Sequence, residues 1–424
     1  MENSFNLTNK GERVGILVGG GPAPGINGVI RSATIEAVNN GLKVVGILDG
    51  FQWLARGDNS RIVNLDIAAV SRIHFEGGSI LRTSRINPTA TQDMMDNTIR
   101  ALRNLEVDYL ITIGGDDTAY SAMRVDEAAG DMIHVAHVPK TIDNDLPLPG
   151  RAPTFGYQTA RHVGVGTVHN IMTDAQTTSR WYFVIAMGRK AGHLALGISR
   201  AASATLALVP EEFRGEKVPL RHIADILEGA IIKRRAMGKD YGTAVLAEGL
   251  AEVIDPEDLQ DIAGVERDDH GHIRYSEIPF GRIISTVVRS RLKARGINIV
   301  IVKKNIGYEL RCADPIPYDC EYTQDLGYAA MSYLEQGKSG AMISLQGGQV
   351  IPVPLKEMID PDTGRTQIRL VNVDSDSFRV ARKYMIRLGQ EDFLDQKQVL
   401  KLARAGHMTP DQFMETFGYL AQPY

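Results

Sequence analysis

The 424-residue chain is predicted to be an α/β protein built from parallel, doubly wound sheets with helices on both faces. Three observations predict this: short apolar runs that read as strands buried on both faces, helical periodicity between them, and polar, glycine-rich clusters at the carboxyl end of each run. Val14–Val18 is the first such run, continuous rather than alternating, as a strand covered on both sides requires. Gly19, Gly20 and Gly21 break it, and from Ile26 the apolar residues Ile26, Val29, Ile30, Ala33 and Ala37 recur at helical spacing. Asn39-Asn40-Gly41 stops that helix and Leu42–Leu48 is the next strand. Val107–Ile113 ends in GGDDT (114–118), with a helix from about Ala119, and Met132–Val138 ends in PKTIDND (139–145). Tyr182–Ala186 runs into Met187-Gly188-Arg189, and Thr243–Ala247 into Glu248-Gly249. Ligands of such sheets sit beyond the carboxyl ends of the strands, where every one of these clusters lies.

The segment PLPGRAP (147–153) is the candidate boundary between two halves, and the charged stretch 255–274 reads as an exposed excursion. No period of about 20–50 residues marks a solenoid. At roughly 150 residues per domain the length allows two or three domains. A hydrophobic share of 43% and a charged share of 23% exclude a disordered chain. With 47 Lys+Arg against 51 Asp+Glu, the net charge of −4 excludes a nucleic-acid coat or an anionic membrane surface as partner. Local phosphate binding stays open. Cys312 and Cys320 give neither a disulfide framework nor metal spacing and read as reduced thiols. No apolar run approaches the roughly 18 residues of a membrane span, and the polar start of the chain lacks a signal-peptide core. The expectation is a cytoplasmic protein.

Each motif carries two readings. The GGGPAPG loop either cradles an anion, its backbone N–H groups aided by the following helix, or is a tight turn. It is no dinucleotide fingerprint, since Pro24 stands at the third glycine, and the chain has no GxxxxGK[ST] loop. In GGDDT, a carboxylate at a strand end can hold Mg²⁺ bridging phosphate oxygens; alternatively Asp and Thr cap a helix. Adjacent Asp116 and Asp117 repel any anion unless a cation intervenes. In PKTIDND, Asp143 and Asp145 point the same way if the segment is extended, which suits one base and one metal ligand. Lys140 adds the positive charge that a transferring phosphoryl group requires. The alternative is a capping and turn cluster.

Together these motifs resemble the phosphofructokinase family. The matching stretches are GGGPAPGIN (19–27), GGSILRTSR (77–85), IGGDDT (113–118), PKTIDND (139–145), FGYQTA (155–160), MGRKAGHLALG (187–197), LAEGL (246–250) and GYELRCADPIPYD (307–319). They stand in order over roughly residues 12–350; beyond that only the strand-like MISLQGGQVIPVPL (342–355) resembles the family. The resemblance implies phosphoryl transfer to the 1-hydroxyl of fructose 6-phosphate by two Rossmann-like domains with the active site in the cleft between them. The donor and Mg²⁺ domain would be 1–153 with part of about 310–345. The sugar-phosphate domain would be 154–309 with the extension 346–424. Carried over, Asp143 is the general base, Asp116 a Mg²⁺ ligand with Asp145 beside the metal, and Lys140 and Thr141 act at the transferring group. Gly20, Gly21, Arg85, Asp117 and Thr118 line the donor site. Met187, Gly188, Arg189, Glu248, Tyr308 and Arg311 hold the sugar phosphate, joined by Arg180 from a neighbouring subunit of a homodimer or homotetramer.

The resemblance also points to a donor. ATP-dependent members typically carry Gly where this chain has Asp117 and Lys140; that pair, with Pro22, resembles the pyrophosphate-dependent branch. A carboxylate at 117 adds charge where a nucleotide's α-phosphate would lie, and two like charges about 4 Å apart near a surface repel by a few kcal/mol. Lys140 supplies a cation for a small donor with no adenosine to anchor it. The alternatives are an ATP-dependent enzyme, a kinase that also takes sedoheptulose 7-phosphate, a non-catalytic sugar-phosphate binder, and a lipid or NAD kinase with its own GGD turn. Arg31 matches the first of two effector-site arginines of bacterial ATP enzymes and Ile35 replaces the second, so weak or absent nucleotide allostery is expected.

Overall fold

The computed structural model describes residues 11–259, 278–362 and 366–421. Among them the strands run, in chain order, β1 (Arg13–Val18), β2 (Lys43–Ile47), β3 (Ile62–Leu65), β4 (Tyr109–Gly114), β5 (His134–Thr141) and β6 (Phe155–Gly156). They continue with β7 (Trp181–Ala186), β8 (Leu206–Leu208), β9 (Gly242–Ala247), β10 (Ile301–Ile306), β11 (Ala341–Gln346) and β12 (Gln349–Pro354). The chain divides into two units: one takes the chain up to Ala160 and again Tyr308–Arg369, the other Arg161–Gly307 and everything from Leu370.

The first unit holds the sheet β12-β11-β5-β4-β1-β2-β3, with β6 beside β5. From β11 to β2 its neighbours are parallel, and β3 and β12 are antiparallel edges. The apolar runs are buried on both faces. Val14, Ile16 and Val18 pack against the helices Ile26–Asn39 and Pro317–Glu335, through residues such as Val29, Ile30, Ala330 and Leu334. Leu17, Val45, Ile47 and Leu110 pack on the other side with Leu102 and Val125, from the helices Gln92–Asn104 and Asp116–Ala129. The chain leaves β1 for β2 on one side, whereas β4 joins β1 on the other. The carboxyl ends of β1 and β4 therefore flank a topological switch point, the place where such sheets bind ligands.

The second unit holds the all-parallel sheet β10-β7-β9-β8. Its C-terminal helices Gln396–Ala405 and Pro410–Phe417 pack Leu402, Phe413 and Phe417 onto Ile232 of the helix Leu220–Ala236.

The strands fall where the apolar runs predict, with four instructive differences. The run expected over 132–138 continues to Thr141, so Lys140 and Thr141 are the last residues of β5. The helix expected from about Ala119 starts at Asp116, where two carboxylates in the first turn complement its dipole. The segment 147–153 is not where the chain changes unit. β6 follows it and pairs with β5 (Lys140↔Phe155). The buried Asp319 carboxylate then takes Gly156 N–H at 2.9 Å and Thr159 N–H at 2.8 Å, so the crossing falls after Ala160, inside the helix Tyr157–Thr178. Residues 346–369 belong to the first unit rather than the second, because β11 pairs with β5 and carries β12 with it through the Gly347-Gly348 turn. Of the charged stretch 255–274, residues 260–274 lie outside the described residues. Cys312 and Cys320 are free thiols, and among the described residues no helix is long and apolar enough to cross a membrane.

Candidate active site

The GGGPAPG loop sits at the switch point. Gly19 N–H donates to Ile113 O at 2.9 Å across the ends of β1 and β4, and Gly20 N–H donates to Ser84 O at 2.8 Å. Thr83 Oγ1 donates back to Gly20 O at 2.6 Å, so the segment 83–85 lies along the loop. Gly20 has φ 80°, open to glycine without strain. Thr118, expected to line the donor site, is instead buried beneath the two turns, 6% exposed. A Cβ on Gly19 would lie 2.8 Å from its Cγ2 and nearer still to its hydroxyl, and one on Gly114 would also collide with it. Those two glycines are required by close approach.

Lys140, at the end of β5, is 4% exposed, and its Nζ donates to Gly21 O. Burial pushes its pKa down to about 8; the positive charges of Arg311 and Arg85 push the same way, and Asp143 and Asp116 oppose them. A Cβ on Gly21 would be 2.9 Å from Arg311 Nη1 and 4.0 Å from Arg85 Nη2. Gly20, Gly21, Arg85, Asp116, Lys140 and Asp143 are thus gathered around one ammonium. Arg311, expected at the sugar phosphate, is on this unit and against Gly21, its guanidinium 4.5 Å over the Tyr308 ring. The helix after β4 is capped by backbone alone at Gly115, so the GGDDT turn is not an Asp or Thr side-chain cap; Asp116 and Asp117 form its first turn, with Asp117 exposed.

The TIDND segment is not extended. Asn144 takes φ 57°, a left-handed turn that Asn tolerates better than most residues, so Asp143 and Asp145 do not face alike through strand alternation. Thr141 Oγ1 accepts from Asp143 N–H at 3.0 Å. Asp145 is pushed above the usual carboxylate range, first by burial and then by the like charge of Asp116.

Two residues here carry no sequence signal. Arg369 donates to Asn144 O (3.0 Å), Asn144 Oδ1 and Ala152 O (2.8 Å). His137 is fully buried beneath the GGDDT turn. Its Nε2 is 3.1 Å from Gly114 O and its Nδ1 2.8 Å from Thr112 Oγ1. A carbonyl can only accept, so Nε2 carries the proton, and burial holds the ring neutral with its pKa at about 3.

In the second unit the ends of β7, β9 and β10 converge. Met187 N–H donates to Ile306 O (2.9 Å), Glu248 N–H to Ala186 O (3.0 Å) and Gly249 N–H to Gly188 O (3.2 Å). Gly188 N–H reaches Glu248 Oε2 at 3.4 Å. Burial raises the Glu248 pKa, opposed by that N–H and by Arg189. Met187, Gly188, Arg189 and Glu248 therefore share one sheet end. Arg180 does not join them within one chain. It precedes Trp181 at the opposite end of β7, about 20 Å away at strand rise.

A glycine-rich loop at the switch point of a parallel sheet, with carboxylates beyond the neighbouring strand end, is an arrangement that suits an α/β protein handling phosphate. The chain belongs to the phosphofructokinase family: the family model "Phosphofructokinase" matches residues 13–334. It is 53% identical over 416 residues to a pyrophosphate–fructose 6-phosphate 1-phosphotransferase of Thermotoga maritima, covering 97% of this chain and 99% of that one. It is 50% identical to the protein of that name from Naegleria fowleri, covering 96% of each. The crystal structure of a pyrophosphate-dependent phosphofructokinase from Marinobacter aquaeolei superposes with TM-score 0.66 at 17% identity, over 88% of this chain and 90% of that one, a likeness of fold.

The Thr118 packing predicts that Gly19→Ala loses about 1–3 kcal/mol of stability, the usual cost of overpacking. In the Thr118→Ala background, where the colliding Cγ2 and hydroxyl are gone, most of that loss should vanish. Urea midpoints of the four proteins of this cycle measure the coupling.

Proposed function

We propose that this protein reversibly transfers a phosphoryl group from pyrophosphate to the 1-hydroxyl of fructose 6-phosphate, giving fructose 1,6-bisphosphate and phosphate. The observation that carries the reading is the buried Lys140 ammonium at Gly21 O, among Arg85, Arg311, Asp116 and Asp143. A short, highly charged donor supplies the negative charge this cluster lacks. The names borne by the relatives at 53% and 50% identity agree. Neither phosphoanhydride nor product ester greatly outweighs the other, so the reaction runs both ways and serves glycolysis and gluconeogenesis.

Phosphoryl transfer asks a protein mainly for positioning and charge neutralisation. Gly20 and Gly21 offer backbone to the donor, with Arg85 and Lys140 neutralising its charge and Thr141 at the transferring group. Asp117 disfavours a nucleotide. Asp143 accepts the proton of the sugar 1-hydroxyl. Met187, Gly188, Arg189 and Glu248 hold the sugar phosphate, while Arg311, stacked on Tyr308 and against Gly21, adds its charge to the donor cluster. Arg180, at the far end of β7, contributes from a neighbouring subunit of a homodimer or homotetramer.

The residues present fit a Mg²⁺ ion. Among the described residues no group of three or more His, Cys, Asp or Glu could hold a metal by itself. Mg²⁺, however, is commonly held by one or two carboxylates plus substrate phosphates and water, and the repulsion between Asp116 and Asp145 is what a divalent cation would relieve. When bound there, Mg²⁺ supplies charge neutralisation to the phosphate oxygens.

Initial rates with fructose 6-phosphate and Mg²⁺ test the donor. Turnover is expected with pyrophosphate and not ATP, shifting toward ATP in Asp117→Gly/Lys140→Gly; equal use of ATP by the parent chain would sink the donor assignment. Removing the base in Asp143→Asn should lower kcat by about 10²–10⁴-fold with substrate KM values little changed. Near-normal kcat would remove Asp143 from that role. Because the free-protein pKa of Lys140 is about 8, its proton is present below that pH and lost above it. The kcat/KM for pyrophosphate should therefore bend downward from about pH 8 in the parent. Lys140→Met should be slower at neutral pH and lack that bend, and comparing the two profiles cancels the titration of pyrophosphate itself.

A further inference from the structure

Residues 366–369 lie beyond the stretch matched by the family model, which ends at residue 334, yet within the first unit they run over the two loops that carry the aspartates. Thr366 Oγ1 donates to Asp116 O at 3.3 Å, and Arg369 N–H donates to Asp145 O at 2.6 Å. The Arg369 side chain then makes the three contacts described above: Nε to Asn144 O, Nη2 to Asn144 Oδ1 and Nη1 to Ala152 O. One planar guanidinium thus grips both ends of the 144–152 excursion and both acceptors of Asn144. No lysine can reproduce that fork.

Its target is the residue that needs holding. Asn144 sits between Asp143 and Asp145 at φ 57°, a conformation that costs a non-glycine residue energy unless its surroundings fix it. Its side-chain oxygen also accepts from Thr154 N–H at 3.1 Å, and Thr154 Oγ1 donates to Thr141 O at 2.8 Å. The fork, Asn144 and Thr154 therefore close a ring of hydrogen bonds around the end of β5. The guanidinium donates to carbonyl and amide oxygens of Asn144 and Ala152 while its charge also faces the Asp145 carboxylate, so the loop's shape draws on the direction of the N–H vectors as well as on charge.

We propose that Arg369 is a positioning residue: through Asn144 it holds the Asp143–Asp145 turn in its working shape, so that a segment outside the family-wide match sets the geometry of the proposed base. The proposal rests on the phosphoryl-transfer reading for its effect on rate, but the shape of the loop can be tested without it.

The test compares Arg369→Lys and Arg369→Ala with the parent by steady-state kinetics and by amide hydrogen exchange of the unliganded protein. Lysine keeps the charge and stem, so R369K is the variant expected to fold should R369A fail, with circular dichroism and thermal midpoints as the check. Misplacing a reacting group by about 1 Å costs on the order of 100-fold. The expected result is therefore a kcat about tenfold lower in R369K and about 100-fold lower in R369A. KM for pyrophosphate and for fructose 6-phosphate should stay within about twofold of the parent, because no ligand contact is lost. Millimolar guanidinium should restore part of the R369A rate and none of the R369K rate. Amides across 143–154 should exchange faster in both variants while those of β1 and β4 are unchanged. Unaltered exchange across 143–154 in a folded variant overturns the proposal, as does a change in KM alone with kcat retained. If the parent shows no pyrophosphate-dependent turnover, the reaction reading fails, and the exchange comparison still decides whether Arg369 holds the loop.

Discussion

The arrangement of the first unit turns on one expensive interaction, the burial of the Lys140 ammonium at the carboxyl end of β5. A lone buried cation is strongly disfavoured unless it is hydrogen-bonded and paired. Here the Gly21 carbonyl accepts from it, Asp143 and Asp116 stabilise its charge, and Arg311 and Arg85 work against it. Without a ligand the balance leaves the proton loosely held, with a pKa of about 8 against 10.5 for an exposed lysine. The cluster is preorganised to gain by receiving negative charge, which is what electrostatic catalysis of phosphoryl transfer requires.

Steric demands bring the parts together. Two glycine turns, at the ends of β1 and β4, close over one threonine, and the His137 ring supports the second of them from beneath through Gly114 O. The turns cannot spread or shift without breaking the Gly19–Ile113 and Gly20–Ser84 hydrogen bonds. That rigidity is inherited from the sheet: β1, β4 and β5 are parallel neighbours in register up to Gly114↔Pro139. The loops that follow them therefore start from fixed, adjacent points. Three loops far apart in sequence can share one ammonium only because the strands beneath them are welded into one layer.

How much of this was legible in the sequence follows from what each signal measures. Apolar runs report burial on two faces, so the strands and their order along the chain are readable, and the glycine-rich segments fall at the strand ends flanking the switch point. Periodicity does not report strand neighbours, so it cannot assign 346–369, where the hairpin of β11 and β12 is joined to the first sheet through β5. The loop at 147–153 looked like a boundary because proline and glycine mark exposed turns, but a turn can return to its own sheet, as β6 does. Strand alternation was the wrong rule for Asp143 and Asp145, since Asn144 turns the chain between them. The roles of Thr118, His137 and Arg369 depend on contacts across 99, 23 and 225 residues respectively, and no local pattern encodes those.

The two carboxylates Asp116 and Asp145 raise the final physical point. Burial and the like charge of Asp116 push Asp145 toward its neutral form, a cost that a sequence shaped by stability alone would avoid. A pair kept at such a cost is expected where function needs it, because strain and unsatisfied charge collect at sites that complete themselves with a ligand. The cation cluster around Lys140 and the anion pair of Asp116 and Asp145 are complementary incomplete halves within a single unit. An anionic donor carrying its own divalent cation would satisfy both at once, with Lys140, Arg85 and Arg311 neutralising the donor and Asp116 and Asp145 holding the metal. Such a pairing would be more selective than either half alone, and its parts come from the loops that follow β1, β4 and β5 together with Arg85 and Arg311.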